Sequence, residues 1–232
     1  KRIITPSKNS KKDISVDFKC NPNNISVINN GLDTDIFIPY TNIERLPYRL
    51  ITTASADVPL KGLDYTLRAI EKLKKNYVNI ELVIIGKLKK DGHTSRLIKS
   101  LQIEDIVSFK TNLTKEEIAI EYSKSSIAIV SSLYEGFGYP VIEAMSCGVP
   151  LIAADTSSIP ELVKDFALLI PPKDTPILIS AIEQILNNYK QYEKVAEEGR
   201  GHIINNFNWT KITNEYENVI YQTIEDFKNA NI

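Results

Sequence analysis

The stretch Tyr134-Glu-Gly-Phe-Gly-Tyr-Pro-Val-Ile-Glu-Ala-Met-Ser-Cys-Gly148 follows an apolar run, Ile127-Ala-Ile-Val130. It sets a tight glycine loop, Glu135-Gly136-Phe137-Gly138, between a strand and a helix opened by Pro140. Gly148 and Pro150 stop that helix. A strand, a glycine turn and a helix N-terminus together form a ready site for a phosphorylated ligand. Glycine lets backbone amides approach a ligand closely. Two carboxylates, Glu135 and Glu143, flank the junction, and a carboxylate accepts hydrogen bonds from two adjacent hydroxyls at once.

Working outward, short apolar runs alternate with amphipathic stretches. Residues 50–54, 80–85, 106–109, 127–130, 151–154 and 167–170 read as strands. Between the first two, Leu63, Leu67, Ile70 and Leu73 recur at helical spacing over residues 63–74. Residues 94–101 read as a short helix. Thr114 and Glu117 have the spacing of a capping box, which predicts a helix to about Ser123. Strands apolar at successive positions, joined by helices, predict an α/β fold. Its core is a Rossmann-like, doubly wound parallel sheet of about six strands. After Pro171-Pro172 the periodicity is helical throughout, over residues 175–187, 191–206 and 209–228. Ahead of the alternation lie an amphipathic segment (7–18), the apolar run 25–28 and the turn Asn29-Asn-Gly-Leu-Asp33. Residues 41–48 show no clear periodicity and read as a linker.

In an open parallel sheet, ligands sit outside the carboxyl ends of the strands. Three loops stand at such ends: 55–62, 110–113 and 131–138. In the first, Lys61 precedes Gly62 and a helix, and supplies a positive point charge for a phosphate.

Composition excludes several classes. The 232 residues carry 28 Lys and Arg against 29 Asp and Glu, so bulk charge gives no support for nucleic-acid binding. No apolar run approaches the roughly 18 residues of a membrane span. Cys20 and Cys147, the only cysteines, fit neither a disulfide framework nor a zinc site, and point to a reducing cytoplasm. His93 and His202 are the only histidines, too few ligands for zinc, so no metal site is expected. His93 reads as a loop or helix-cap residue. The chain opens on Lys1 rather than Met, as expected of a processed chain or a piece of something longer.

The block from Glu135 to Pro150 resembles the Glu-x7-Glu signature of family 4 glycosyltransferases, which have the GT-B fold. Residues 151–163, with Glu161, match that family's usual continuation. Asn30-Gly-Leu-Asp33 with Phe37 and Pro39, and Phe207-Asn-Trp209, match too. The resemblance implies the C-terminal, donor-binding half of such an enzyme. Residues 1–40 would be the tail of the N-terminal acceptor domain, most of which is missing, and 41–48 the linker. Residues 49–206 would be the nucleotide-sugar-binding domain, and 207–232 a helix packing back toward the N-terminal domain. It implies a metal-independent retaining hexosyltransferase with no cofactor, using a UDP- or GDP-linked sugar donor and an acceptor hydroxyl on a glycan, lipid or protein. Glu135 would contact the donor sugar beside the Gly136, Phe137 and Gly138 amides. Glu143 would hold the ribose, Lys61 would face the diphosphate, and the Val141 amide would lie near a phosphate. Leu113 and its neighbours would line the base pocket. Cytoplasmic action is expected, with membrane-surface contact through the missing domain. One departure stands out. The family carries Gly-Arg after the first strand, and Ser55-Ala56 stands here, leaving Lys87, after Gly86, as a substitute cation. A non-catalytic nucleotide-sugar-binding module is the alternative, and a GT-B epimerase or phosphorylase a third, which the Glu-x7-Glu block disfavours.

Overall fold

The computed structural model describes residues 2–230. A small outer unit comes first: β1 (Ile3–Thr5), α1 (Lys8–Asp17) and β2 (Ile25–Val27), with β1 and β2 paired in parallel. The main domain runs β3 (Leu46–Thr53), α2 (Leu63–Leu73), β4 (Glu81–Ile85), α3 (His93–Leu101), β5 (Val107–Lys110), α4 (Lys115–Lys124), β6 (Ser125–Val130) and α5 (Tyr139–Ser146). It continues through β7 (Leu151–Ala154), α6 (Ile159–Val163), β8 (Leu168–Ile170), α7 (Thr175–Asn187), α8 (Tyr189–Phe207) and α9 (Trp209–Ala230).

Six strands form one parallel sheet in the order β5-β4-β3-β6-β7-β8. Side chains alternate across it. Ile127 and Ile129 of β6 join a core with Leu67 and Ile70 of α2, Ile98 of α3 and Ile182 of α7. Ala128 and Val130 join the opposite core, with Tyr122 of α4, Val141, Ile142 and Met145 of α5, and Ile203 of α8. Helices cover both faces, which is why β6 and β7 are buried at every position.

The expected doubly wound sheet and its C-terminal helices are present, with element ends shifted by a few residues. The capping box is complete: the Glu117 amide donates to Thr114 Oγ1 at 3.2 Å, and the Thr114 amide to Glu117 Oε2 at 2.8 Å. The linker expectation fails at its end, because β3 already begins at Leu46, paired with Ser125. Leu46, Pro47 and Tyr48 are exposed, and a bulge separates them from Leu50, so no apolar period marks them. Ser125 and Ser126 are buried strand residues that their polarity concealed. The short β1 and the five-residue α6 left no periodic signal.

Two ends of the chain meet across the domain. The Leu32 amide donates to the Phe207 carbonyl at 2.7 Å, and a Cβ on Gly31 would lie 2.5 Å from the Trp209 ring. At its far end α9 reaches β1, where Arg2 pairs with Asp226 at 2.6 Å. Among the described helices none is long and apolar enough to cross a membrane.

Leu67 is fully buried between α2 and the sheet, whereas Val78 is 87% exposed. Leu67→Ala is expected to cost about 2–5 kcal/mol in urea denaturation. Val78→Ala is expected to stay within about 0.5 kcal/mol of the parent.

Candidate active site

The connections leaving β3 and β6 run to opposite edges of the sheet, so the crevice of the fold opens between these two neighbours. The loops after them are interlocked. Gly62 adopts φ +64°, and a Cβ there would lie 1.9 Å from the Ser131 carbonyl oxygen. Ser131 Oγ donates to the Gly62 carbonyl at 3.0 Å and lies 2.9 Å from Thr66 Oγ1. The Leu133 amide donates to the Leu60 carbonyl at 2.7 Å. This seam brings Lys61 and Glu135 together: Nζ lies 2.6 Å from Oε1, and Ser132 Oγ donates to the same oxygen at 2.7 Å. The Glu135 side chain is 11% exposed and that of Lys61 29%. A carboxylate so enclosed needs such partners, since burying an unpaired charge is costly.

The loop after β7 supplies the other support. Ser157 Oγ accepts the Glu135 amide at 2.8 Å. The buried Ser158 hydroxyl lies 2.8 Å from the Glu135 carbonyl oxygen and 2.6 Å from that of Phe137, so its one proton is divided between them. Gly138 takes φ +112°, a conformation that favours glycine, and turns the chain into α5.

Glu143 lies in the second turn of α5. It borders a cavity of about 230 Å³ with Leu32, Asp33, Lys115, Tyr139 and Trp209. Burial raises its pKa to about 7, opposed by a hydrogen bond from Tyr122 and the charge of Lys115. Tyr122 is itself buried, with its hydroxyl 3.0 Å from Thr53 Oγ1. Burial, then the Glu143 charge, holds that phenol well above its usual range.

A second cavity of about 240 Å³ lies by the β3 turn, bordered by Asp57, Gly62, Asp64, His93 and Thr94. Asp57 Oδ1 accepts the Thr94 amide at 2.7 Å and thereby caps α3. The backbone bond to Thr94 is the main cause holding its carboxyl below the usual range. His93 opens α3 and lies 2.7 Å from Asp64.

The sequence-derived residues are thus partly gathered. Lys61 and Glu135 touch, and Gly136 and Gly138 form the turn beside them. The Val141 amide, expected to lie near a phosphate, donates to the Gly138 carbonyl at 3.0 Å and closes the first turn of α5. Phe137, expected to contribute its amide, has its side chain in the core, with its ring 5.4 Å from Tyr139 and 6.2 Å from Phe207. Leu113 is half-buried on the β5 loop, two strands from β3. Ser132, Ser157, Ser158 and Tyr122 escaped the sequence reading. The serines stood in plain view as polar pairs at the carboxyl ends of apolar runs, Ser131-Ser132 and Ser157-Ser158. Tyr122 gave no such signal.

Residues 41–202 match the family model for glycosyl transferases group 1. An MMP alpha-(1->4)-mannosyltransferase from Mycolicibacterium hassiacum is 34% identical over 213 residues, 90% of this chain and 51% of that protein. The chain therefore belongs to the group 1 glycosyl transferases. It spans about half the length of the curated relatives it matches, 51% and 55% of the first two. Among solved structures, Anabaena Alr3699/HepE in complex with UDP-glucose superposes with a TM-score of 0.82 at 17% identity, over 95% of this chain and 64% of that one. The C-terminal domain of a group 1 family protein (LpcC) from Francisella tularensis superposes with a TM-score of 0.66 at 22% identity, over 77% of this chain and 100% of that domain. These likenesses show the fold, that of GT-B glycosyltransferases.

The raised pKa of Glu143 has a definite sign for stability. Below pH 4.5 the carboxyl is protonated whether folded or unfolded. Between 4.5 and about 7 only the folded chain keeps the proton, so stability falls as pH rises through that window and stays lower above it. Glu143→Gln should therefore match the parent near pH 4.5 and exceed it by on the order of 2 kcal/mol at pH 8 in paired denaturation curves. A constant difference across pH would contradict this.

Proposed function

We propose that this chain is the donor-binding half of a metal-independent, retaining hexosyltransferase that takes its sugar from a UDP- or GDP-linked donor. The observation carrying this is the meeting of Lys61 and Glu135 at the crevice, with Glu143 following in the adjoining helix. Similarity to a mannosyltransferase and to a fold seen with UDP-glucose supports the donor class.

In this reading Lys61 faces two anions. Without donor, its charge rests on Glu135. With donor bound, the diphosphate draws Nζ away, and Glu135 is released to accept hydroxyls of the transferred sugar. The Gly136, Phe137 and Gly138 backbone lies alongside. Glu143, ionised, accepts the ribose hydroxyls, and Leu113 borders the base. In the transfer, the bond from the anomeric carbon to the diphosphate oxygen breaks. The acceptor oxygen bonds that carbon on the same face, and its proton passes to the departing phosphate. Lys61 and the start of α5 stabilise the growing negative charge. The family's second phosphate cation is absent, because Ala56 is a buried methyl group. Lys87 is its substitute: it is exposed and follows Gly86, whose backbone lies against Ala54 in the adjacent strand end. The acceptor hydroxyl, on a glycan, lipid or protein, belongs to an N-terminal domain, and the setting is the cytoplasm. The buried Ala56 also favours a second reading, a module that binds nucleotide sugars without turning them over.

Calorimetric titration with UDP- and GDP-sugars tests the proposal. One series should bind. Lys61→Ala should weaken it about 10- to 100-fold, the worth of a charge-assisted contact. Lys87→Ala should weaken it less. Failure of both series to bind sinks the assignment. Slow donor hydrolysis in the same tube separates an enzyme half from a binding module. Sugar transfer at the rate of a two-domain enzyme would refute the need for the second domain.

A further inference from the structure

α1 is held to the domain in an unusual way. It buries none of its residues, so apolar packing does not fix its position. Three hydrogen bonds tie it and its capping residue to the loop that carries Glu135, and two more tie it to α6. Glu161 of α6 receives the first amides of α1: Lys8 N–H donates to Oε2 at 3.0 Å and Asn9 N–H to Oε1 at 3.1 Å. A carboxylate taking two backbone donors at a helix N-terminus is a strong, charge-assisted contact. The helix-capping Ser7 is fully buried; its Oγ donates to the Gly136 carbonyl at 2.8 Å, and Ser10 Oγ approaches the same oxygen at 3.1 Å. Tyr134 OH donates to Asp13 Oδ2 at 2.8 Å.

These contacts flank Glu135 on both sides. Tyr134 and Gly136 are its chain neighbours. Glu161 lies three residues beyond Ser158, and Ser157 and Ser158 hold the Glu135 amide and carbonyl. A shift of α1 therefore reaches the Glu135 backbone by two routes, directly through Gly136 and indirectly through Glu161 and the two serines.

We infer that Glu161 is a positioning residue for Glu135, acting by clamping α1 across the donor loop, with Ser7 and Ser10 as the second jaw. The inference rests on the donor-half reading, since it gives Glu135 a sugar to meet. The clamp sets the sugar end of the site. The nucleotide end, around Glu143 and Lys115, has its own supports in α4 and α5 and is independent of it.

The test uses the full chain and compares each nucleoside diphosphate with its sugar conjugate: UDP with UDP-glucose, and GDP with GDP-mannose. Isothermal titration gives the ratio of the two dissociation constants in whichever pair binds. Glu161→Gln keeps the size but withdraws one acceptor from α1. It is expected to shift that ratio about tenfold against the sugar conjugate, with the affinity for the bare diphosphate unchanged within about twofold. Ser10→Ala, which leaves α6 intact, should move the ratio the same way, more weakly. Glu161→Asp, which keeps the charge, should restore part of it. Equal weakening of both ligands by Glu161→Gln would reduce Glu161 to a folding role and overturn the inference, as would an unchanged ratio in both variants. If Glu161→Gln fails to fold, Ser10→Ala alone decides by the same ratio. A parent chain that binds neither pair overturns the donor reading itself, and the clamp with it.

Discussion

The contact between Lys61 and Glu135 is the constraint that organises the rest of this domain. A carboxylate exposed over only a ninth of its surface must be satisfied, and one lysine does not suffice. Ser132 completes the side chain, while Ser157 and Ser158 fix the backbone. These partners come from the loops after three adjacent strands, β3, β6 and β7. The sheet must therefore be in register before the pair can form. Gly62 enforces this, because only a residue without a Cβ lets the β3 turn press against Ser131. The charge pair is a consequence of the sheet's topology as much as of its own attraction.

The two acids of the Glu-x7-Glu block are chemically unlike because their surroundings differ. Glu135 meets an ammonium group at 2.6 Å. Glu143 lies in a cavity edged by Phe37, Ile118 and Tyr139, where burial outweighs the help of Tyr122 and Lys115. Seven residues of sequence thus separate a carboxylate held by a cation from one poised near neutrality. A ligand hydroxyl reaching Glu143 supplies the donors that solvent no longer gives, so ionisation of Glu143 and occupancy of its cavity favour one another.

The sheet and its helices were legible because burial on both faces writes continuous apolar runs, and because Gly86, Gly148 and the Thr114–Glu117 box punctuate them. The Lys61, Glu135 and Glu143 set was legible from spacing and from the resemblance it completes. What stayed hidden depended on distant partners. Nothing local marks Ser157 as the acceptor of an amide 22 residues away, or Tyr122 as the phenol beside Glu143. Leu46 to Tyr48 form strand without apolar periodicity, because the pairing is made by backbone while their side chains face solvent. The bond of the Val141 amide was hidden in the same way: a helix N-terminus offers free amides, but the turn at Gly138 takes this one.

The outer segments are joined to the domain by two kinds of contact with different mechanical character. Ahead of the linker, Gly31 lies close against the Trp209 ring, Leu32 bonds Phe207, and the Phe207 ring meets Phe137, so aromatic packing runs from the chain crossing to the glycine loop. Packed rings resist displacement, since separating them opens a void. At α1 the contacts are hydrogen bonds: Ser7 and Ser10 reach the Gly136 carbonyl, and Glu161 takes the first two amides of the helix. The glycine loop is therefore held by packed rings on its Phe137 side and by hydrogen bonds on its Gly136 side. Glu135 lies between the two, its side chain held by Lys61 and Ser132 and its backbone by Ser157 and Ser158.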